Sequence, residues 1–264
     1  MSYSTQNIRN VCLLGHGGNG KTSLAESMLY LTGGTVRLGN PADGNTVCDY
    51  DPEETRRQIS ISTAVAPVEY NGCKINVLDT PGYFDFSGEV IEALQVADAA
   101  IIVCSAKAGM SVGAEKAWKL CEQRRLPRLL YISKTDEENS DYNAAFDTLR
   151  ERFGKNIAPV VAPIWDEGKK VTGIIDVLNK RAYEMQNGKR VEIDIPEGKE
   201  AVITEFNDAL KESVAETSEE LMERYFNGEE FTYAEMIQGL RQGVKDLSLF
   251  PVVCGSAVSG LGTR

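Results

Sequence analysis

The sequence carries Gly15-His16-Gly17-Gly18-Asn19-Gly20-Lys21-Thr22 near its beginning, and this stretch decides the fold. It matches the pattern G-x-x-x-x-G-K-[ST], follows the apolar run at 11–14 and precedes apolar residues at helical spacing. Such a loop lets successive backbone N–H groups and a helix N-terminus point at one phosphate. In that geometry the lysine contacts the β- and γ-phosphates, and the threonine hydroxyl is a ligand of Mg²⁺. A glycine-rich turn with a chance Lys-Thr pair is the structural alternative, and the flanking patterns argue against it.

Short apolar runs alternate with amphipathic helical spacings on both sides of this loop. The runs at 11–14, 75–78, 99–104 and 129–133 are nearly continuous, which is typical of parallel strands covered on both faces. An alternating strand pattern that starts at Ile59 leads to Asn71-Gly72, which is a strong type I′ hairpin signal. We therefore predict an α/β P-loop NTPase fold, whose mostly parallel sheet has one antiparallel edge strand.

The pattern changes from about residue 155 to residue 247. Strand-like runs and a charged stretch precede a helix with apolar residues on one face, and two threonine capping boxes follow. These features are the helix residues Phe206, Leu210 and Val214, and the pairs Thr217 with Glu220 and Thr232 with Glu235. We predict an inserted α+β subdomain at 155–247, and a nucleotide-binding domain formed by residues 1–154 and 248–264.

Composition limits the classes of function. The 264 residues include 28 basic and 39 acidic ones, a net charge of −11 that argues against simple electrostatic binding to nucleic acid. The six cysteines form no C-x-x-C pair and several lie in apolar runs, so we expect buried core residues in a reducing compartment. The polar N-terminus and the absence of an apolar run of 18 residues predict a cytoplasmic protein with no membrane association.

Asp79-Thr80-Pro81-Gly82 follows the apolar run at 75–78. An aspartate at that strand end can reach Mg²⁺ through water, and Gly82 can offer its N–H to a γ-phosphate oxygen. A Pro-Gly turn alone would be a weak signal. Its place one hairpin after a phosphate loop favours a γ-phosphate sensor.

Two further segments follow strand patterns at the carboxyl edge of the predicted sheet, where ligands bind in such folds. Ser133-Lys134-Thr135-Asp136 ends with a carboxylate that can accept two N–H bonds from guanine, which adenine cannot supply. Gly255-Ser256-Ala257 would offer a backbone N–H to the guanine oxygen. Neither segment is specific alone, but in this order they indicate a guanine nucleotide.

Together these segments resemble the GTPase domain, with its insertion, of bacterial elongation factor G and related translational GTPases. The resemblance covers essentially the whole chain, and the insertion separates it from small Ras-like GTPases. Beyond the phosphate loop it rests on four segments: Arg57-Gln58-Ile59-Ser60-Ile61-Ser62, Asp79-Thr80-Pro81-Gly82-Tyr83-Phe84-Asp85-Phe86, Ser218-Glu219-Glu220-Leu221-Met222-Glu223-Arg224-Tyr225 and Cys254-Gly255-Ser256-Ala257.

The resemblance implies a GTPase that uses GTP, GDP and Mg²⁺ and couples GTP to ribosomal translocation. It also implies a monomer that meets the ribosome, its RNA and its stalk protein through further domains beyond this chain. The nucleotide-binding residues it implies are Gly15, His16, Gly17, Gly18, Asn19, Gly20, Lys21, Thr22, Ser23, Asp79, Thr80, Pro81, Gly82, Tyr83, Ser133, Lys134, Thr135, Asp136, Gly255, Ser256 and Ala257. The catalytic residues would be Tyr83, Lys21 and Gly82, and the metal residues Thr22, Ser60 and, through water, Asp79.

Tyr83 departs from the family pattern in a way that bears on hydrolysis. It stands where the family has a histidine that orients the attacking water, and the chain's only histidine is His16 in the phosphate loop. A phenol cannot share the protonation behaviour of an imidazole near neutral pH, although it can hydrogen-bond a water. We therefore expect a low intrinsic rate of hydrolysis.

Three other departures concern binding. Ser60 stands in place of a threonine and keeps the hydroxyl, so its metal role should survive. Gly18 stands in place of an aspartate, which removes a ligand for any monovalent cation. Ser133 stands in place of an asparagine that ties the base-binding segment together, so nucleotide affinity should fall while Asp136 preserves the guanine preference.

Other functions remain open from the sequence. Ribosomal protection proteins and release-factor GTPases are close alternatives, since their distinguishing contacts lie in other domains. A nucleotide-gated ribosome-binding switch with weak hydrolysis is favoured by Tyr83. A P-loop kinase or ATPase would instead prefer ATP. The insertion's glutamates are either a solvated helix face or a contact for the stalk protein.

Overall fold

The computed structural model describes residues 3–166, 171–186 and 189–263. The strands in these residues are β1 Ile8–Leu14, β2 Ala64–Tyr70, β3 Cys73–Asp79, β4 Ala99–Ser105, β5 Arg128–Ser133, β6 Ile157–Pro159, β7 Val161–Trp165, β8 Val171–Asp176, β9 Arg181–Gln186, β10 Lys189–Ile193 and β11 Phe250–Cys254. The α-helices are α1 Lys21–Leu31, α2 Pro52–Arg57, α3 Ser87–Val96, α4 Val112–Gln123, α5 Tyr142–Phe153, α6 Glu200–Ala215, α7 Glu219–Phe226 and α8 Tyr233–Asp246.

Seven of these strands form one sheet in the order β2-β3-β1-β4-β5-β11-β6. All neighbours in it run parallel except β2 and β3, which are antiparallel. The predicted α/β fold with an antiparallel edge strand is therefore confirmed. The hairpin turn is also as predicted, because Asn71 and Gly72 both have positive φ, at 49° and 76°.

The beginning of the edge strand was predicted wrongly. The alternating pattern starts at Ile59, but β2 begins at Ala64. The N–H groups of Ile61 and Ser62 donate to the buried Glu54 carboxylate at 2.8 and 3.0 Å instead of pairing with β3. A side chain thus satisfies the backbone groups that a strand would have used.

Helices cover both faces of the sheet because successive strand residues point in opposite directions. In β1, Leu13 faces α1 and belongs to a cluster with Leu24 and Ala25. Cys12 and Leu14 face the opposite side, where α3, α4 and α5 pack. Five of the six cysteines are buried as predicted, and Cys73 is half-buried.

A second sheet, ordered β10-β9-β8-β7, and helices α6 to α8 make up most of the predicted insertion. The seven-stranded sheet nevertheless includes Ile157–Pro159, since β6 pairs with β11. It therefore extends past the predicted boundary at residue 154. None of the helices in the described residues combines the length and apolar composition needed to cross a bilayer.

The two predicted capping boxes had different outcomes. Thr232 and Glu235 cap α8 reciprocally, as predicted. The box at Thr217 and Glu220 is wrong, because α7 is capped by Ser218, whose hydroxyl accepts from the Leu221 N–H. The Thr217 hydroxyl instead donates to Val214 O at 2.7 Å, at the end of α6.

Candidate functional site

A cavity of about 410 Å³ lies at the carboxyl ends of β1, β3, β5 and β11. Segments from distant parts of the chain meet there because parallel strands end at one edge of the sheet. Its lining residues are Gly17, Gly18, Gly20, Lys21, Thr22, Ser23, Asn40, Pro41, Ala42, Asp49, Gln58, Ile59, Ser60, Gly82, Tyr83, Ser133, Lys134, Asp136, Glu137, Ser256, Ala257 and Val258. The structure thus gathers thirteen of the predicted nucleotide-binding residues around one space.

The phosphate loop connects β1 to the first turn of α1. Gly15, Gly18 and Gly20 have φ values of 138°, 79° and 91°, which residues with a side chain adopt only with strain. Gly15 also packs tightly against β4, since an added Cβ would lie 2.5 Å from Val103 O. The glycines therefore allow the backbone to curl over the start of the helix, as an anion-binding loop requires.

Lys21 lies at the bottom of the loop with only 5% of its surface exposed. Its Nζ donates to the carbonyls of Gly15 and His16, both at 3.1 Å. Burial lowers the pKa of this ammonium group. The loop's own carbonyls thus hold the charge where a phosphate would meet it.

The segment after β3 is in direct contact with the phosphate loop. The Gly17 N–H donates to Gly82 O at 3.1 Å. A Cβ on Gly82 would lie 2.5 Å from both Gly17 N and Lys21 Nζ. Only glycine fits at this close approach, which puts the predicted γ-phosphate sensor against the phosphate loop.

The predicted metal residues form a set that fits Mg²⁺. The Thr22 and Ser60 hydroxyl oxygens are 3.1 Å apart. Adjacent ligands of an octahedral ion with bonds of about 2.1 Å are separated by about 3 Å. Asp79 is 1% exposed, and neither of its carboxylate oxygens has a hydrogen-bond partner in the described residues. Burial raises the pKa of Asp79 to about 7, and a nearby cation with its water would relieve this penalty.

Asp49 is a cavity residue that sequence reasoning missed. Its carboxylate accepts from the Ser60 hydroxyl at 2.8 Å and from the Thr46 hydroxyl at 3.2 Å. Burial is the main reason that its pKa is raised. Asp49 therefore orients Ser60 toward Thr22. The only signal of Asp49 in the sequence is that it is an acidic residue in the segment that precedes Ser60.

Two buried glutamates hold the segment that contains Asp49 and Ser60, and both were also missed. Glu26 on α1 is fully buried and accepts from the N–H groups of Val47 and Cys48 at 2.7 and 2.9 Å. Glu54 on α2 accepts from the Ile61 and Ser62 N–H groups, as described above. Thr22 and Glu26 are four residues apart and therefore lie on one face of α1. That face contacts one end of the segment at Ser60, through Thr22, and the other end at Val47 and Cys48, through Glu26.

The segment after β5 lies beside the phosphate loop. The buried Ser133 hydroxyl is within 2.7 Å of Asn19 O and 3.0 Å of Cys104 O. The Lys134 stem lies over Gly20, with Cε 4.0 Å from an added Cβ. The Ser133 hydroxyl thus connects the segment after β5 to the phosphate loop. The sequence predicts that this connection is weaker with serine than with asparagine at this position. Asp136 is exposed on the cavity rim and accepts no hydrogen bond from the described residues.

The last predicted segment presents one backbone donor to the cavity. Gly255 N donates to Ile132 O at 3.0 Å and Ser256 N to Leu261 O at 2.9 Å. Ala257 lines the cavity, and its N–H has no partner in the described residues. Of the three N–H groups in this segment, the one on Ala257 is therefore available to a base.

Eight predicted residues do not line the cavity: Gly15, His16, Asn19, Asp79, Thr80, Pro81, Thr135 and Gly255. Several of them support the residues that do. The Thr80 hydroxyl donates to Leu13 O at 2.6 Å, and the Asn19 amide donates to Val103 O at 2.9 Å. The His16 ring lies 5.8 Å from that of Phe84.

Tyr83 lines the cavity at the junction with the phosphate loop and is 44% exposed. Its ring lies against Gly17. The same ring borders an apolar groove between α3 and α4 that also includes Phe84, Ile91 and Leu120. Tyr83 therefore lines both the cavity and this groove.

Comparison with known proteins gives a consistent result. The model of the family described as elongation factor Tu GTP binding domain matches residues 6–264. An elongation factor G-like protein of Thermotoga maritima is 36% identical over 260 residues, which are 97% of this chain and 36% of that protein. An elongation factor G-like protein of Mycobacterium tuberculosis is 38% identical over 258 residues, covering 97% of this chain and 35% of that protein.

A solved structure agrees with these relatives. The crystal structure of a protein from Thermus thermophilus superimposes with a TM-score of 0.90 at 38% identity, and the match covers 97% of this chain and 38% of that one. The chain therefore spans little more than a third of the length of the proteins it matches.

Proposed function

The chain belongs to the family of elongation factor Tu GTP-binding domains, and from that membership we propose that it binds GTP and GDP with Mg²⁺ and hydrolyses GTP in the cavity described above. One observation carries the proposal. A buried lysine, Lys21, and an exposed carboxylate with no hydrogen bond from the described residues, Asp136, line the same cavity. These are the two charges that a guanine nucleotide needs at its two ends.

The phosphate end uses groups of the loop and of α1. The Gly17, Gly18 and Gly20 backbone and the N-terminus of α1 favour negative charge, and Lys21 adds a full positive charge. Thr22, Ser60 and, through water, Asp79 are the residues that would hold Mg²⁺. When bound, Mg²⁺ neutralises charge on the β- and γ-phosphates.

The base end is specific for guanine. Asp136 accepts two N–H bonds from the base, and the Ala257 N–H donates to its oxygen. Adenine lacks this arrangement of donors and acceptor, so it would leave both protein groups unpaired. A P-loop kinase or ATPase function is disfavoured for the same reason.

In hydrolysis, water attacks the γ-phosphorus. The bond between that phosphorus and the bridging oxygen breaks, and GDP leaves. Lys21 and the Gly82 N–H stabilise the charge of the transferring group, and the Tyr83 hydroxyl orients the water. A phenol does not reproduce the protonation behaviour of the family's histidine, so the intrinsic rate is low.

Competition binding tests the nucleotide assignment. The chain is incubated with fluorescent GDP and Mg²⁺, and unlabelled GTP, GDP or ATP is added. GTP and GDP should displace the label while ATP should not at a hundredfold higher concentration. Equal displacement by ATP would exclude the guanine site.

The finer part of the proposal is a role in translation. The name of the elongation factor G-like relatives supports an elongation factor. From the resemblance of the sequence we propose further that it couples GTP to ribosomal translocation, as a monomer in the cytoplasm. Its partners would be the ribosome, ribosomal RNA and the stalk protein. The test is multiple-turnover GTP hydrolysis by the natural protein that carries this chain. Ribosomes should increase turnover strongly, and an unchanged rate would contradict the role.

A ribosomal protection protein or a release-factor-type GTPase would give the same stimulation. Translocation of a tRNA–mRNA complex in a purified system separates them, because only an elongation factor should support it. The second candidate is a nucleotide-gated ribosome-binding switch with weak hydrolysis, and Tyr83 favours it. GTP-dependent ribosome binding without stimulated turnover would support the switch.

We also retain the predicted division into a nucleotide-binding domain, 1–154 with 248–264, and an insertion, 155–247. The inclusion of β6 in the main sheet suggests that the insertion begins a few residues later. Glu219, Glu220 and Glu223 on α7 are exposed, which suits either a solvated face or the stalk protein. Replacing all three by lysine and measuring stalk-protein binding distinguishes these roles.

A further inference from the structure

Gln58 has a backbone conformation that residues with a side chain seldom adopt. It directly follows α2 and has a φ of 55° and a ψ of 40°, which lie in the left-handed region. Glycine is the usual residue at such a helix end, because it has no Cβ to cause strain. A glutamine kept in this conformation indicates that its side chain has a task that glycine could not perform.

The Gln58 side chain reaches a second segment of the cavity wall. Its Nε2 donates to Ala42 O at 2.8 Å, although the two residues are 16 positions apart in the chain. Ala42, Gln58 and the next residue, Ile59, all line the cavity described above. A single amide group thus connects two parts of the wall that are distant in sequence.

Ala42 belongs to a short turn that extends from Asn40 to Gly44. The Asn40 side chain accepts from the Ala42 N–H and donates to the Asp43 carboxylate, both at 3.1 Å. The Gly44 N–H donates to Pro41 O, also at 3.1 Å. These bonds keep the turn intact by themselves, so its place relative to the cavity depends on contacts with other segments.

The tip of this turn, residues 41–43, depends on Gln58 for its position. Within the described residues, the bond from Gln58 is the only hydrogen bond between the tip and any segment outside the turn. The base of the turn lies close to α2, since an added Cβ on Gly44 would be 2.9 Å from Thr55 Cγ2. Loss of the Gln58 amide should therefore let the tip swing away from the cavity about this base.

We propose that Gln58 is a positioning residue for nucleotide binding, because its amide holds the turn as part of the cavity wall and thereby slows release of the nucleotide. This inference rests on the proposed function. Gln58 acts through the turn, and it takes no part in the chemistry at the γ-phosphate. The dissociation rate should therefore respond to this residue more than the association rate does.

Replacement by glycine separates the side chain of Gln58 from its backbone. Gln58→Gly removes the amide and also relieves the left-handed conformation. Fluorescent GDP with Mg²⁺ should dissociate about two- to tenfold faster, as expected for the loss of one neutral hydrogen bond. A stopped-flow chase with unlabelled GDP measures this rate. The midpoint of urea unfolding without nucleotide should not fall, since glycine suits this position.

Arg125→Gly is the matched control for the backbone change. Arg125 lies just beyond α4 with a φ of 50°, and its exposed side chain forms no hydrogen bond or ion pair with the described residues. It does not line the cavity. The control variant should release GDP at the wild-type rate, and its midpoint of urea unfolding should not fall either.

A double-mutant cycle with Asn40→Ala tests whether Gln58 acts through the turn. Asn40→Ala removes the side chain that accepts from the Ala42 N–H, so the carbonyl of Ala42 is no longer held in a fixed place. In that background, Gln58→Gly should accelerate GDP release much less than it does in the wild type. A role of Gln58 that is independent of the turn predicts the same acceleration in both backgrounds.

The contrary results overturn different statements. Unchanged GDP release in Gln58→Gly, or the same acceleration in both backgrounds of the cycle, would refute the positioning role. So would faster release in Arg125→Gly, or a lower urea midpoint in Gln58→Gly, because the side chain would then support the fold and not the wall. A wild-type chain that binds no guanine nucleotide would overturn the proposed function itself.

Discussion

In the proposed function, Asp136 is the side chain that selects the base. It is exposed on the cavity rim and makes no hydrogen bond with the described residues, so its carboxylate is free to accept from a base. Asp136→Asn would present one donor and one acceptor in place of two acceptors. Guanine would then meet a mismatched donor, whereas xanthine, which carries an oxygen in place of the amino group, would fit.

We expect Asp136→Asn to weaken GDP binding by at least about 3 kcal/mol, roughly a hundredfold in Kd, because two hydrogen bonds to a charged group are affected. Xanthosine diphosphate should bind the variant more tightly than GDP does. Titration of both nucleotides against both proteins measures this exchange. The same Kd for GDP in variant and wild type would show that Asp136 does not contact the base.

Ser133 is the residue whose role changed most between sequence and structure. Its hydroxyl lies within hydrogen-bond distance of two buried carbonyls, one of them in the phosphate loop. Ser133→Ala removes this donor, so we expect a loss of about 1–2 kcal/mol in the free energy of unfolding. GDP should also dissociate up to about tenfold faster, since the loop and the base-binding segment are no longer tied.

Urea unfolding and the release of fluorescent GDP measure the two effects of Ser133→Ala. Thr204→Ala is a suitable control, because that exposed hydroxyl on α6 bonds only to its own helix. It should change stability by less than about 0.5 kcal/mol. If Ser133→Ala behaves like this control in both assays, the hydroxyl is not the tie that the geometry indicates.

At the scale of elements, the surroundings of two helical glycines predict opposite effects on stability when each is replaced by alanine. Gly239 lies inside α8, where an added Cβ would be 2.6 Å from Val214 Cγ1 on α6. Gly239→Ala should therefore destabilise the protein by about 1–3 kcal/mol through overpacking. Gly88 lies in the first turn of α3 with nothing within 4 Å, so Gly88→Ala should stabilise it by about 0.4–1 kcal/mol. Urea unfolding of both variants decides, and a stabilised Gly239→Ala would mean that α6 and α8 are not in close contact.

Local patterns explain which elements were predictable. The central strands, the hairpin at Asn71-Gly72 and the cap of α8 each follow from a few neighbouring residues, and the structure contains them all. The start of β2 was not predictable in this way, because it depends on Glu54, whose carboxylate takes the N–H groups of Ile61 and Ser62. The cap of α7 shifted by one residue because two adjacent hydroxyl residues could each serve.

In the candidate site too, the residues in local motifs were predictable and those that act through tertiary contacts were not. The segments proposed to bind phosphate and base are contiguous motifs, and thirteen of the residues predicted from them line the cavity. That these residues bind a nucleotide stays a prediction. Asp49 and Glu26 belong to no motif, and they act only after the chain brings Ser60 and α1 together. The contact between Gly17 and Tyr83 is likewise a tertiary one. A glycine in a glycine-rich loop gives no sequence signal that its neighbour is an aromatic ring.

At the scale of the whole molecule, the inserted part packs away from the nucleotide cavity. Glu212 on α6 forms an ion pair with Arg150 on α5 at 3.1 Å. Phe206 on α6 meets Phe146 on α5 with ring centroids 5.8 Å apart. These contacts fasten the insertion to α5, and no described residue between 155 and 247 lines the cavity. The insertion can therefore serve a partner without altering nucleotide contacts directly.

The cavity itself exists only in the folded molecule, because its lining residues extend from Gly17 to Val258 along the chain. A nucleotide should consequently bind the native state alone and stabilise it by mass action. At a free GDP concentration of a hundred times Kd, with Mg²⁺, we expect the free energy of unfolding to rise by about 2.7 kcal/mol. ATP at the same concentration should produce no change, and Asp136→Asn should lose the response to GDP. Urea unfolding with each nucleotide measures these differences. An equal gain with ATP, or none with GDP at saturation, would mean that the cavity does not discriminate the base or is not where the nucleotide binds.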